Sequence, residues 1–316
     1  MPTALNVRGI SHRRTTSWKE WMILLLSLTK IRISFFVAFT AAAGSILASG
    51  QVGAQMLLPI AAVFILACGS CGLNQYQERR IDGLMERTKG RPLPSGKLRA
   101  CTALWISLGL IASGSFILLC RTDWVTWALG LFAVLWYNGI YTYLKQKTAF
   151  AVIPGALIGA IPPALGWVSG GGDLFDPRIG AIVFFFMIWQ VPHFWLLLLD
   201  SAGEYEKAGL PSLTGIFRTD QIRRVVLIWI LSAAVSSLLI PLFGFVNSYF
   251  LRAFLLGGMF WLVANVILLL RSHSEGVSLR PVFMKLNLYA LFVITLVSVD
   301  GLLINSTGLN LFNLFE

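Results

Sequence analysis

Apolar runs about twenty residues long recur along nearly the whole chain, at roughly 33–49, 53–73, 101–120, 124–142, 152–170, 179–199, 224–245, 250–270 and 283–305. A run of that length crosses about 30 Å of hydrocarbon as a helix. Closed barrels carry no such runs, and open sheet edges are not tolerated in lipid. The pattern therefore predicts an all-α polytopic membrane protein with about nine transmembrane helices. Charged residues make up 12% of the chain, against about 25% in soluble domains, and the mean hydropathy is +0.76. The fifth run is interrupted by Pro154, Pro162 and Pro163. Such breaks are tolerated where neighbouring helices or a cavity surround them.

The net charge of +11 is not a nucleic-acid signal, because 22 of the 25 Lys and Arg residues fall on one side of the predicted spans. Only Arg121, Arg178 and Arg252 fall on the other. This bias places the N-terminus in the cytoplasm, or in the matrix of a mitochondrion, and the C-terminus on the opposite side. Residues 1–22 hold Arg8, Arg13, Arg14 and Lys19 without an apolar core, so they are not a secretory signal and read as a cytoplasmic tail. Residues 23–316 then form a single membrane domain, with a bacterial inner membrane as its expected home. His12 and His273 lie in loops and carry no signal.

Residues 74–96, NQYQERRIDGLMERTKGRPLPSG, follow the second run directly. Asn74, Glu78, Asp82 and Glu86 recur every four residues. On one helix each would be offset about 40° from the last and rise about 6 Å, giving a slowly turning stripe of oxygen ligands. Arg79, Arg80, Arg87, Lys89 and Arg91 are interleaved with it or follow it. Hard oxygens suit Mg²⁺, and Mg²⁺ with Arg and Lys suits a diphosphate. At a membrane face this points to a lipid diphosphate as substrate. The plainer alternative is a charged loop with i,i+4 ion pairs, which does not explain four oxygen ligands in phase with Asn first.

A second long cytoplasmic loop, 200–223, opens with Asp200 and Glu204, also four apart and expected at a helix end in helical phase. Two facing acidic patches make chemical sense, since one helix end cannot surround a diphosphate and its Mg²⁺ ions. The alternative for Asp200 and Glu204 is a solvated helix end.

Three further segments stand out. Tyr137, Asn138 and Tyr141 end the fourth run; their rings could stabilise an allylic cation, or could belong to an interfacial aromatic belt. Lys145 follows them as a phosphate ligand. His193 lies inside the sixth run, next to Pro192, where an ionisable side chain is a functional candidate. It could ligate a haem iron, accept a proton or cap the backbone at the proline. Cys68 and Cys71 spell CxxC, but within an apolar span and among small residues, so helix packing is the better reading.

Taken together, these segments resemble the UbiA-type intramembrane prenyltransferases. Leu28 to Ile33 resembles the family's opening LTKPRI, with Ile31 in place of Pro. Asn74 to Gly96 resembles NxxxDxxxDxxMxRTxxRPLxxG, with Glu78 at the first Asp. Tyr141 to Lys145, Gly159 to Trp167, Trp189 to Phe194, and Glu204-Tyr205 before Ala208 to Pro211 resemble YTxLKR, GAxPPxxGW, WQxPHF and DY…AGxP. Gln146, Ala151 and the segment Pro211 to Thr214 depart from the usual residues. The middle segments narrow the resemblance to the branch that farnesylates haem.

The resemblance implies a bundle around a central cavity, farnesyl diphosphate and haem B as substrates, and haem O and diphosphate as products. The metal-binding candidates are then Asn74, Glu78, Asp82, Asp200 and Glu204, the phosphate candidates are Lys30, Arg32, Arg87, Arg91 and Lys145, Tyr137 and Tyr141 are candidate catalytic residues, and His193 is a candidate for positioning haem. A partner that makes haem A or assembles an oxidase stays open. Prenylation of a quinone precursor, an ion-coupled transporter and a haem carrier are the competing readings. Transporter acids are expected near the bilayer midplane, whereas these lie at helix ends among Arg and Lys.

Overall fold

A computed structural model describes residues 17–271 and 279–307. Arg8, Arg13, Arg14, His12 and His273 lie outside the described residues. Among the described residues every regular element is helical: α1 (Trp18–Leu28), α2 (Ile31–Ser49), α3 (Leu57–Asp82), α4 (Ala100–Arg121), α5 (Trp124–Val134), α6 (Thr142–Leu144), α7 (Val152–Gly155), α8 (Leu157–Ser169), α9 (Pro177–Leu199), α10 (Ala202–Lys207), α11 (Thr219–Ser236), α12 (Leu239–Leu242), α13 (Tyr249–Arg271) and α14 (Arg280–Thr307). Among the described residues eight helical runs are long and apolar enough to cross a membrane. The ninth expected span is a rod from Trp124 to Leu144, in which a π turn, Leu135–Tyr141, separates α5 from α6.

Helix α1 begins at Trp18, inside the segment expected to be a tail. The cause is local: Ser17 and Glu20 form a capping box, with the Ser17 N–H donating to Glu20 Oε2 at 2.9 Å. Eleven residues reach only about 16 Å, too short to span, and Trp18, Met22, Ile23 and Leu26 are exposed, as on a helix lying against a membrane surface.

Small residues set the packing. At Gly166 a side-chain carbon would run into the Ala41 carbonyl, and at Gly44 into that of Pro163, so α2 and α8 pass backbone to backbone. Gly69 and Gly72 let α3 approach α4 at Ser107 and Ile111. Cys68 and Cys71 are buried free thiols, and Cys71 Sγ lies 4.0 Å from Ser34 Oγ of α2, in keeping with a packing role. Trp167, Trp195, Phe185 and Tyr289 fill the centre of the second half of the bundle. A groove of about 630 Å³ opens between α13 and α14, lined by Phe250, Phe254, Trp261 and Phe292. By the alternation of the rods it lies toward the opposite end of the bundle from Asp82.

Candidate active site

The oxygen stripe forms at the end of α3, where the helix continues two turns past its apolar segment. Asn74, Glu78 and Asp82 are all on α3 and all buried. Glu86 is not part of the stripe: α3 stops at Asp82, Gly83 starts a run of turns, and Glu86 is exposed and paired with Lys89 at 2.5 Å. The turns fold back on themselves. The Thr88 hydroxyl donates to the Asp82 carbonyl at 2.8 Å, and Met85, Leu93 and Leu98 are buried beneath. This return brings Arg91 against Asp82, with Nη1 at 2.8 and 2.7 Å from the two carboxylate oxygens.

Each stripe residue has one cationic partner, and each partner comes from a different segment. Lys30 Nζ donates to Asn74 Oδ1 at 2.9 Å. Lys145, just after α6, is ion-paired with Glu78. Arg91 holds Asp82. Buried carboxylates need such partners, because desolvating an unpaired charge costs several kcal/mol, roughly. Burial would lower the Lys145 pKa, but the Glu78 carboxylate, with Tyr141 and Tyr205, holds it above the ordinary lysine value. At Lys30 burial wins and the pKa is lowered.

Lys30 is presented by a strained turn. Its φ of 46° lies in the left-handed region, which a residue with a side chain adopts only at a cost. Two side chains fix that turn: Gln75 Nε2 donates to the Ser27 and Leu28 carbonyls at 2.7 and 2.9 Å, and Ser34 Oγ donates to the Thr29 carbonyl at 3.0 Å. Asn74 is held in turn, its Nδ2 donating to Thr142 Oγ1 at 3.0 Å.

The π turn shapes the adjoining wall. Within it Asn138 locks onto α3, donating to the Ser70 carbonyl at 3.0 Å and accepting from Ser70 Oγ at 2.6 Å. Tyr137 stacks on Tyr141 with centroids 6.0 Å apart, and Tyr141 stacks on Phe194 of α9 at 5.9 Å. Lys145 Nζ lies 5.6 Å from the Tyr141 ring centroid. π turns are rare and concentrate at functional sites.

The second acidic patch is arranged differently from the expectation. Asp200 caps α9 and Glu204 belongs to the separate α10, so the two do not share a helix. The break follows Leu199, where a turn at Ser201 redirects the chain. Asp200 is exposed and makes no polar side-chain contact among the described residues. Glu204 reaches the first loop, where the Arg87 backbone N–H donates to its Oε2 at 3.1 Å. The Arg87 side chain and Arg32 are both exposed. Among the described residues no three His, Cys, Asp or Glu side chains are gathered into a ready metal cage. The α3 set is nevertheless of the right chemistry for Mg²⁺, which binds through a few protein oxygens and completes its shell with water and substrate.

His193 is on α9 beside Phe194, its Nδ1 2.6 Å from Asn287 Oδ1 of α14. The sequence reading passed over Gln75, Thr142 and Asn287. Gln75 and Thr142 lie in segments already singled out, and Asn287 is an amide within the last apolar run, so a polar residue in a span is the available signal.

The UbiA prenyltransferase family model matches residues 36–289. The chain is 36% identical over 278 residues to a protoheme IX farnesyltransferase of Oleidesulfovibrio alaskensis, covering 87% of this chain and 95% of that one. It is 40% identical over 220 residues to a protoheme IX farnesyltransferase of Geobacter sulfurreducens, covering 69% and 81%. Its fold matches a UbiA homologue from Archaeoglobus fulgidus solved with DMAPP and Mg²⁺, with a TM-score of 0.65 at 12% identity over 88% of this chain and 98% of that one. The chain is a multi-pass membrane protein that belongs to the UbiA prenyltransferase family.

Proposed function

We propose that the protein transfers the farnesyl group of farnesyl diphosphate to a vinyl group of haem B, with addition of water, giving haem O and diphosphate. The observation that carries this reading is the buried stripe Asn74, Glu78 and Asp82, matched one for one by Lys30, Lys145 and Arg91. The names of the relatives support the haem acceptor. The structural neighbour was solved with a prenyl diphosphate and Mg²⁺.

Asn74, Glu78 and Asp82 would hold Mg²⁺, with Asp200 and Glu204 approaching from α9 and α10. Bound there, Mg²⁺ supplies positive charge that stabilises the departing diphosphate. Lys30, Lys145 and Arg91, which pair with the stripe, would neutralise the phosphate oxygens, where charge develops as the allylic C–O bond breaks. Arg32 and Arg87 stand ready at the exposed rim. Tyr137 and Tyr141 present their π faces to the allylic cation. The vinyl π electrons form the new C–C bond, and water captures the second cation and releases a proton. The apolar walls keep water from the first cation. His193 positions the haem.

The reaction runs in a bacterial inner membrane with the N-terminus cytoplasmic, or in the mitochondrial inner membrane if the source is eukaryotic. The stripe lies at the basic end of α3, where soluble Mg²⁺ would reach it from the cytoplasm. A haem A-forming enzyme or an oxidase assembly factor is the expected recipient of the product. Farnesyl transfer in purified membranes, measured with Mg²⁺ and after chelation, tests the reading. Transfer that stops on chelation and returns with Mg²⁺ supports it, and transfer indifferent to chelation overturns it.

A further inference from the structure

His193 and Asn287 face each other across the α9–α14 seam, His193 about 9 Å along α9 from its cytoplasmic end. The Nδ1 to Oδ1 distance is 2.6 Å. An amide oxygen only accepts, so Nδ1 carries the proton of this pair. A neutral imidazole has one ring proton, and Nε2 is left with a bare lone pair. No second hydrogen-bond partner of the His193 ring is found among the described residues.

The ring plane is fixed as well. Trp189 lies 4.7 Å from it on one turn of α9, and Phe283 of α14 lies 5.0 Å away. Trp189 is itself tied to α14, its indole N–H donating to the Leu286 carbonyl at 3.1 Å. An imidazole and an amide within membrane spans are costly, and a purely structural seam is served better by apolar side chains. One nitrogen bonded to an acceptor and the other left bare is how metal-binding histidines are oriented. The position is also right for an acceptor. Phe194, next in sequence, lies 5.5 Å from His193 and stacks on Tyr141, the ring beside Lys145.

We propose that Asn287 is a positioning residue, holding His193 as the Nδ1–H tautomer so that Nε2 ligates the iron of the haem substrate. This rests on the haem-farnesylating reading above. An iron–imidazole bond would fix the porphyrin plane, and with it the distance from the vinyl group to the allylic carbon.

Full-length protein in detergent, titrated with haem B and examined by resonance Raman in the ferrous state, tests this. Wild type should show an iron–histidine stretch that His193→Ala removes. Asn287→Leu should weaken haem affinity about 10- to 100-fold and lower that stretch. Asn287→Asp, which keeps an acceptor and adds charge, should restore affinity and raise the stretch. Mg²⁺-dependent binding of farnesyl diphosphate reports whether each variant is folded, and if Asn287→Leu is not, the Asp variant decides. A stretch unchanged in Asn287→Asp, or haem bound by wild type without an iron–histidine stretch, overturns the assignment and leaves the prenyl-transfer reading standing. Wild type that binds no haem overturns both.

Discussion

Arg91 grips Asp82 through both carboxylate oxygens, at 2.8 and 2.7 Å, across the turns that end α3. The two residues are the last member of the oxygen stripe and the first cation returned to it by the loop. Asp82→Ala therefore removes a proposed metal ligand and leaves Arg91 without its partner. We expect farnesyl transfer to fall on the order of 100-fold or more. Initial rates at saturating Mg²⁺ check this, alongside gel filtration to show that the protein is folded.

The Lys145–Glu78 pair predicts a stability effect separable from catalysis. Glu78→Gln leaves a largely buried ammonium without its counter-charge and should cost about 3 kcal/mol. Adding Lys145→Met should recover most of that loss while transfer stays abolished. Unfolding in detergent, compared across the two single variants and the double variant, measures the coupling.

Gln75 holds the turn that presents Lys30. Gln75→Leu leaves the Ser27 and Leu28 carbonyls without this donor, at about 1–3 kcal/mol. Lys30 should then lose its fixed position over Asn74, and KM for the prenyl diphosphate should rise several-fold with KM for haem unchanged. Steady-state kinetics with each substrate varied in turn distinguish this from general loosening.

The α2–α8 contact predicts opposite outcomes for two glycines. Gly166→Ala puts a carbon against the Ala41 backbone and should destabilise by about 1–3 kcal/mol. Gly180→Ala in α9 meets nothing within reach and should be neutral or stabilise by up to about 1 kcal/mol. Thermal unfolding of both variants checks the pair.

Orientation is testable with single cysteines in a background where the native four are replaced. Lys97→Cys should react from the cytoplasmic side with a membrane-impermeant thiol reagent, and Phe175→Cys only from the other side. The reverse pattern would contradict the cytoplasmic placement of the stripe.

The helical bundle was legible because lipid leaves the backbone few options: each apolar run had to be a helix. The stripe was legible for Asn74, Glu78 and Asp82, whose phase follows from helix geometry alone. Glu86 fell out because α3 stops at Asp82 and turns begin at Gly83, which four-residue spacing cannot reveal. Asp200 and Glu204 were separated for a similar reason, a break after Leu199 whose only local mark is Gly203, which lies inside α10. The π turn at Leu135–Tyr141 carries no sequence mark either, since it depends on Asn138 bonding across to α3. The partners of the site side chains come from segments distant in sequence, and pairings such as Lys30 with Asn74 or His193 with Asn287 arise only when the helices pack.

The decisive measurement is the mass of haem recovered after incubating the purified protein with haem B, farnesyl diphosphate and Mg²⁺. A product heavier by one farnesyl group plus one water, absent in Asp82→Ala, is the predicted result. Unchanged haem, with an aromatic acid prenylated under the same conditions, would contradict the haem assignment.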